Sequence, residues 1–342
     1  MRSSCGSPWT SARSPPSRGR FRSSWSGSLL ADRLADLSFR ALTSALAALP
    51  DASARSLGRG IGNLARSLLG VRRKVVEDQI AAAFPERDAA WVLDTARRCY
   101  RHFGEELAVT AGGASRIEAA LDTVRDPYPA REVLAAAVAG GPGAVMVTGH
   151  FGNWELAGAY LARLGFPVTA VIQRQGGPAG AALERLQGRL GFDLAYRDAS
   201  PRALLRALAA GRMIALVADQ HAPRGGARID FLGRPAWTTL GPARLSMTAG
   251  APLFFAALVR EMEGYRVQLE RIAPADEAGA WDRPAGREER RARELALTRR
   301  WSGALEAAIR QRPAQYYWFH RRWKDGPPSA ADGGTTPGGA AY

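Results

Sequence analysis

Hydrophobic positions follow two rhythms along this chain. From about residue 28 to 123 they recur at spacings of three and four, with Arg or Glu between them, which is the period of amphipathic helices. Pro50 separates a first helix, carried by LSFRALTSALAALP at 37–50, from a second near 53–70. The run FPERDAAWVLDTARRCYRHFGEELAV at 84–109 predicts a long helix that opens soon after Pro85. From about 142 the rhythm shortens. AVMV (144–147), VTAVI (168–172), FDLAY (192–196) and MIALVA (213–218) are apolar runs of strand length, separated by helical stretches near 153–164, 179–190 and 200–210. This alternation predicts an α/β fold: a largely parallel central sheet flanked by helices, with an N-terminal helical segment before it. PLFFAALV (252–259) and YRVQLERI (265–272), joined by the polar turn REMEG, predict two further strands. A charged helix at about 286–311 and the aromatic segment PAQYYWFHRRWK (313–324) follow.

The two ends break the pattern. Residues 1–27 hold five arginines, no acid, and many Ser, Pro and Gly, so they cannot bury a core and are expected to be a disordered basic leader. They lack the apolar stretch of a secretory signal and read as an over-long start rather than a targeting peptide. Residues 326–342, GPPSAADGGTTPGGAAY, are expected to be a disordered tail. Between the ends lie a helical region at 28–123, expected near a membrane, and an α/β domain at 124–325.

Composition narrows the function classes. The formal net charge of +15 favours polyanionic partners: nucleic acid, anionic lipid headgroups or an acidic carrier protein. An Arg-over-Lys bias with abundant Ala and Gly is also what GC-rich codon usage produces, so charge alone does not select among them. No RNP motif, zinc finger or recognisable helix-turn-helix supports nucleic acid, which is therefore an unlikely partner. The two cysteines, Cys5 and Cys99, allow neither a disulfide framework nor a zinc-type spacing, so a reducing compartment is the default and no metal site is expected. With four histidines and no HExxH or GxSxG motif, the zinc-protease and usual serine-hydrolase patterns are excluded. No apolar run reaches the ~18–20 residues that span a bilayer. The 37–50 helix is short and broken by Arg40, suited either to an interfacial position or to covering the core.

The candidate chemistry sits where the first apolar run ends, in TGHFGNWELAG at 148–158. On a regular helix His150 and Glu155 would stand about 140° apart. At a strand-to-helix turn the geometry changes. Gly149 and Gly152 permit angles that other residues resist, and Asn153 is a good helix cap. His150 is then expected at the C-terminal end of a strand, with Glu155 in the first turn of the next helix, and that crevice is where open α/β sheets bind ligands. An imidazole oriented by a carboxylate can activate an alcohol supplied by the substrate. The alternative use of the same residues is structural, with Glu155 complementing a helix N-terminus and His150 satisfying a loop carbonyl.

GHFGNWELAG resembles the HxxxxD/E signature of the lysophospholipid acyltransferase superfamily. More narrowly, the chain resembles the lipid A biosynthesis (lauroyl and myristoyl) acyltransferases, with the mycobacterial mannoside acyltransferases as cousins. The resemblance runs from about 28 to 325 and includes AFPE, RCYRHFGEELA, DQHAPRGGARIDFLGRPAWTTLGPARLS (219–246) and PAQYYWFHRRWK, in that order. It implies an acyltransferase with no bound cofactor, which moves a fatty acyl chain from acyl carrier protein or coenzyme A to a hydroxyl of a lipid, first of all a lipid A precursor. Lysophospholipid or glycolipid is the alternative acceptor. His150 would be the general base, Glu155 its orienting carboxylate, and Arg189 and Asp219 further catalytic residues. Gln187 stands where many relatives carry an arginine, and Arg174 is a second candidate cation. Asn153, Gln220, Phe231 and Trp237 would contact substrate, with Phe231, Leu232 and Trp237 walling an acyl channel or simply filling core. The terminal Tyr316, Tyr317 and Trp318 beside Arg321, Arg322 and Lys324 read either as an interfacial belt or as packing on the sheet. The implied setting is the cytoplasmic face of the bacterial inner membrane, held peripherally or weakly, with an acidic acyl carrier protein and an anionic lipid surface as partners. A non-catalytic membrane-associated protein of the same fold is the competing class, against which the intact His150 and Glu155 argue.

Overall fold

The computed structural model describes residues 43–173, 190–197, 200–273 and 286–324, together with Leu37, Ala41, Glu184, Gln187 and Gly188. Nine helices are named among these residues: α1 (Asp51–Ser67), α2 (Arg73–Ala83), α3 (Ala89–Ala111), α4 (Ala114–Asp122), α5 (Ala130–Val138), α6 (Trp154–Arg163), α7 (Pro201–Ala209), α8 (Gly241–Ala249) and α9 (Arg287–Gln311). The strands are β1 (Val124–Arg125), β2 (Val145–Thr148), β3 (Val168–Ile172), β4 (Asp193–Tyr196), β5 (Met213–Val217), β6 (Gly226–Phe231), β7 (Arg234–Thr239), β8 (Leu253–Glu261) and β9 (Gly264–Ala273). Seven of them form one sheet in the order β1-β9-β8-β2-β5-β3-β4. All pairs in it are parallel except the β8–β9 hairpin. The fold is therefore the expected one, α/β with a mostly parallel sheet.

β2 lies at the centre, parallel to β5 on one side and to β8 on the other. Its side chains alternate between two cores, as period-2 geometry requires. Val145 and Val147 join Ile80, Phe84, Cys99, Tyr100, Trp301, Leu305, Tyr316 and Trp318 on one face. Met146 joins Leu134, Leu156, Phe254 and Tyr265 on the other. The N-terminal helices thus share a core with the sheet. The seam between α1 and α3 is glycine-lined: a Cβ on Gly58 would lie 2.3 Å from the Gly104 carbonyl oxygen, and one on Gly62 2.1 Å from that of Tyr100. Any side chain at either position would push the helices apart. In the helical run at 43–48, Leu46 is buried against Ala54, Ala108 and Ala111, so this part of the 37–50 helix covers core.

One element departs from the sequence reading. DFLGRPAWTTLG belongs to an antiparallel hairpin, β6–β7, turned by Leu232 and Gly233 at φ 52° and 78°. A two-residue turn with both φ positive normally carries Asn-Gly or Asp-Gly, and leucine in the first position hid the signal. Glu306 steadies that turn by accepting from the Leu232 N–H at 2.8 Å. The leader at 1–27, the tail at 326–342 and most of 179–190 lie outside the described residues. Among those described, no helix is long and apolar enough to cross a membrane.

Candidate active site

The register of the central strands brings the site together. Thr148 of β2 pairs with Val217 of β5 in parallel, so His150 and Asp219 each stand two residues beyond the same rung. The chain then turns through Gly149-His150-Phe151-Gly152 into α6. Gly152 adopts φ +61°, and a Cβ there would lie 2.2 Å from the Leu258 carbonyl oxygen. The loop is tied from both sides: the Gly152 N–H donates to the Gln315 carbonyl at 2.9 Å, that of Asn153 to Leu258 at 2.9 Å, and that of Tyr317 to the His150 carbonyl at 2.9 Å. Asn153 caps α6 as expected, its Oδ1 accepting from the Leu156 N–H at 2.8 Å. Its Nδ2 donates to Glu106 Oε2 at 2.6 Å, and the Tyr265 hydroxyl donates to the same oxygen at 2.7 Å.

His150 Nδ1 lies 2.7 Å from Asp219 Oδ1, and the His150 backbone N–H donates to Oδ2 of the same carboxylate at 2.9 Å. Asp219 is 3% exposed, whereas the His150 side chain is 21% exposed. Burial alone would push the Asp219 carboxyl up, but the charge of His150, its two hydrogen bonds and the Arg322 guanidinium bring it down to about 2. The carboxylate is therefore ionised, so Nδ1 must be the donor and Nε2 is left as the basic nitrogen. Behind Asp219 stand the Tyr316 hydroxyl, raised well above its ordinary range by burial and by its hydrogen bond to Asp219, and Arg322.

Glu155 occupies the first turn of α6, as the sequence reading placed it, but the nitrogen it was expected to orient is taken by Asp219. Its Oε1 instead accepts from Gln187 Nε2 at 3.0 Å. Burial pushes the Glu155 carboxyl up, opposed by that bond and by the charge of His150. The reason is geometric: residue 155 has already turned with the helix, while 219 sits level with 150 across the sheet. Gln187 is thus a neighbour of the site.

The remaining candidates separate. Arg174 and Arg189 lie outside the described residues. Gln220 is half-buried beside Asp219. Phe231, at 1% exposure, is a core ring between Tyr316, Trp323 and the Arg322 guanidinium, at 6.2, 6.3 and 4.8 Å; Leu232 is 2% exposed. Trp237 is half-buried and uses its carbonyl to accept from Ala222 N and from Arg322 Nη1, at 3.2 and 2.6 Å. The terminal aromatic segment packs inward: Tyr316, Trp318 and Arg322 are all under 3% exposed. Residues that the sequence did not assign to the site surround His150. Trp154 lies 5.0 Å from the imidazole ring and Tyr317 5.9 Å, backed by Phe103 and Phe319. Trp154 was visible as the residue after the cap, but nothing local links 317 to 150. Among the described residues no group of three or more His, Cys, Asp or Glu is placed to hold a metal ion.

Residues 32–325 match the family described as bacterial lipid A biosynthesis acyltransferase. The chain is also similar to a phosphatidylinositol mannoside acyltransferase of Mycobacterium tuberculosis, 26% identical over 270 residues, which cover 76% of this chain and 75% of the relative. A protein of the same description from Mycolicibacterium smegmatis is 26% identical over 229 residues, 65% of this chain and 69% of that one.

Proposed function

The chain belongs to the bacterial lipid A biosynthesis acyltransferase family and is an acyltransferase, and on that premise we propose that its acceptor is a glycolipid hydroxyl, activated by His150 with Asp219 as its partner. The observation that carries the catalytic assignment is the 2.7 Å contact between His150 Nδ1 and an ionised Asp219 at the ends of adjacent parallel strands. Nε2 takes the proton from the acceptor hydroxyl, and the oxygen attacks the thioester carbonyl. The tetrahedral oxyanion collapses, and the departing thiolate recovers the proton from the imidazolium, which Asp219 stabilises meanwhile. No enzyme nucleophile is needed.

The glycolipid acceptor is supported by the named relatives, whose descriptions specify a phosphatidylinositol mannoside. It replaces the lipid A precursor as the leading acceptor. Glu155 contributes a second carboxylate whose field reaches His150. Arg189 and Arg174 are proposed as cations for the oxyanion or the acceptor's phosphate, and Gln220 and Trp237 as substrate contacts. The donor is an acyl thioester on acyl carrier protein or coenzyme A; the +15 charge suits an acidic carrier as well as an anionic bilayer at the cytoplasmic face of the inner membrane.

The test uses purified protein, an acyl-coenzyme A, and either phosphatidylinositol mannoside or a lipid A precursor, with products read by mass spectrometry. Acylation of the mannoside is expected, with His150→Ala slower by at least about a hundredfold, the lower bound for lost general-base catalysis. A normal rate in that variant would end the catalytic assignment. Acylation of the lipid A precursor alone would end the glycolipid one.

A further inference from the structure

A polar cluster lies buried against the turn that carries His150, and the proposed reaction makes no use of it. Glu106, on α3, is 6% exposed, and His102, one turn before it, is 8% exposed. Glu106 Oε2 takes two hydrogen bonds, from Asn153 Nδ2 at 2.6 Å and from the Tyr265 hydroxyl at 2.7 Å. Burial and the neighbouring Glu106 push the Tyr265 hydroxyl up, so it keeps its proton and donates. The second oxygen, Oε1, has no hydrogen-bond partner among the described residues and lies 3.8 Å from His102 Nδ1. His102 Nε2 is buried in the same condition, and burial lowers that imidazole from its ordinary 6.5 against the pull of Glu106. The backbone of Gly152 also bears on the ring. Helix α3, strand β9 and the turn before α6 therefore meet at one carboxyl.

Such a cluster is a poor source of stability. A buried carboxyl with one oxygen unpaired, beside a buried imidazole with one nitrogen unpaired, is less favourable than apolar side chains of similar volume. What it supplies is direction. The Asn153 side chain has one oxygen and one NH2, and it serves two partners: the Leu156 N–H, which needs an acceptor, and Glu106 Oε2, which needs a donor. Only one orientation of the amide meets both. The carboxyl thus locks the cap of α6, and the cap fixes where the strand-to-helix turn ends, three residues after His150. The turn holds Gly149 and Gly152, so its conformation is set largely by what it is tied to.

We propose that Glu106 is a positioning residue for acyl transfer: through Asn153 it holds the turn that carries His150 where Nδ1 meets Asp219 and Nε2 faces the acceptor. Tyr265 and His102 hold the carboxyl in turn, the first by its hydrogen bond and the second by packing beside Oε1. The N-terminal helical region thereby acts on the chemistry at one remove, without touching substrate. The proposal rests on the reading of His150 as the base.

The experiment takes two readouts on the full chain. One is steady-state transfer from an acyl-coenzyme A to phosphatidylinositol mannoside. The other needs no turnover: the downfield proton NMR resonance of the His150 Nδ1–H held by Asp219, assigned by its absence from His150→Ala. Glu106→Leu is expected to shift or lose that resonance. Its kcat should fall toward the roughly hundredfold loss that a misplacement of about 1 Å causes, with little change in KM. Asn153→Ser keeps a capping oxygen for α6 but cannot reach Glu106, and is expected to lower kcat by a similar factor. The double variant should fall no further than the worse single one, because both act through one contact. Glu106→Gln retains a carbonyl oxygen for Asn153 and Tyr265 and is expected within about threefold of wild type, with its resonance in place. A wild-type kcat and resonance in Glu106→Leu overturn the proposal, as do losses that multiply in the double variant. A loss in Glu106→Gln as large as in Glu106→Leu also overturns it, by making charge rather than position the requirement. Should Glu106→Leu fail to fold, a normal rate in Asn153→Ser overturns it alone. A shifted resonance in Glu106→Leu with normal transfer in both that variant and His150→Ala, by contrast, counts against His150 as the base and leaves the positioning of the turn standing.

Discussion

Two segments close on His150, and they are built by opposite means. The loop at 148–153 is made by local rules: a buried strand, two glycines that allow a tight turn, and an asparagine that caps the next helix. The segment at 313–324 has almost no regular structure of its own, only a 3-10 turn at Pro313–Gln315. It is held by partners remote in sequence. Gln315 receives the Gly152 N–H, Tyr317 donates to the His150 carbonyl, and Arg322 reaches Trp237 and Thr238. The first segment supplies the nitrogen proposed as the base. The second supplies the walls, the charge behind Asp219 and much of the buried volume. Chemistry is thus concentrated in a short, regular turn, while its electrical and steric setting comes from an irregular strap at the far end of the chain.

The sharpest way to break this picture is at the strand-end pair. Asp219→Asn keeps the shape but removes the charge that holds the tautomer and stabilises the imidazolium. Loss of the equivalent carboxylate partner of histidine in a Ser-His-Asp triad costs about 10⁴ in kcat, or about 5 kcal/mol of barrier. We expect a fall of that size with little change in KM, measured by steady-state acyl transfer. Glu155→Gln should cost much less, since that carboxylate bonds to Gln187 and not to Nδ1. The reverse order would return Glu155 to the orienting role.

The strap is tested at Arg322, 1% exposed. Its Nη1 and Nη2 donate to the Trp237 carbonyl and the Thr238 hydroxyl at 2.6 and 2.5 Å, and its charge opposes that of Asp219. Arg322→Leu removes one donor each from the Trp237 carbonyl and the Thr238 hydroxyl and leaves a buried carboxylate less compensated, which should cost about 3 kcal/mol of stability in a denaturant titration. Arg322→Lys restores the charge without the fork and should recover only part of the loss. A neutral result for Arg322→Leu would mean that the strap owes its position to aromatic packing alone.

How much of this was legible follows the same division. The strand runs at 168–172 and 213–218 and the helices near 153–164, 200–210 and 286–311 matched the structure to within a residue or two, because alternation and 3.6-residue periodicity are local signals. The position of His150 at a strand end was readable for the same reason. The partner of its Nδ1 was not, since the choice between Glu155 and Asp219 depends on the register of β2 against β5, which no single stretch encodes. The hairpin at 226–239 escaped because Leu232 occupies a place usually filled by Asn or Asp. The run QYYWFHRRW has the composition of a membrane-facing belt. Only the tertiary structure shows Tyr316 and Trp318 facing inward, against Phe231 and each other.

The smallest expected effect lies at the contact between the strap and the loop that follows Asp219. His320 Nε2 accepts from the His221 backbone N–H at 3.1 Å, which requires that nitrogen to be unprotonated. Burial lowers the His320 imidazole from its ordinary 6.5 to about 4, with Asp219 pulling the other way. Above pH 6.5 the ring is neutral in folded and unfolded chains alike, so it gives stability no slope. Between 6.5 and about 4 the unfolded chain binds a proton that the folded one refuses, and stability falls as the pH drops through that window. Allowing for solvent around a half-buried ring, the loss is about 2 kcal/mol. His320→Gln keeps an acceptor for the His221 N–H but cannot titrate. Its stability, followed by denaturant titration at several pH values, should therefore decline less steeply than that of the wild type between pH 6.5 and 4. The carboxylate of Asp219 acts in a lower window: its contribution is full above 3.8 and is lost as the pH falls through about 2. A His320→Gln protein with an unchanged slope above pH 4 would show that the strap meets the Asp219 loop without relying on a neutral imidazole.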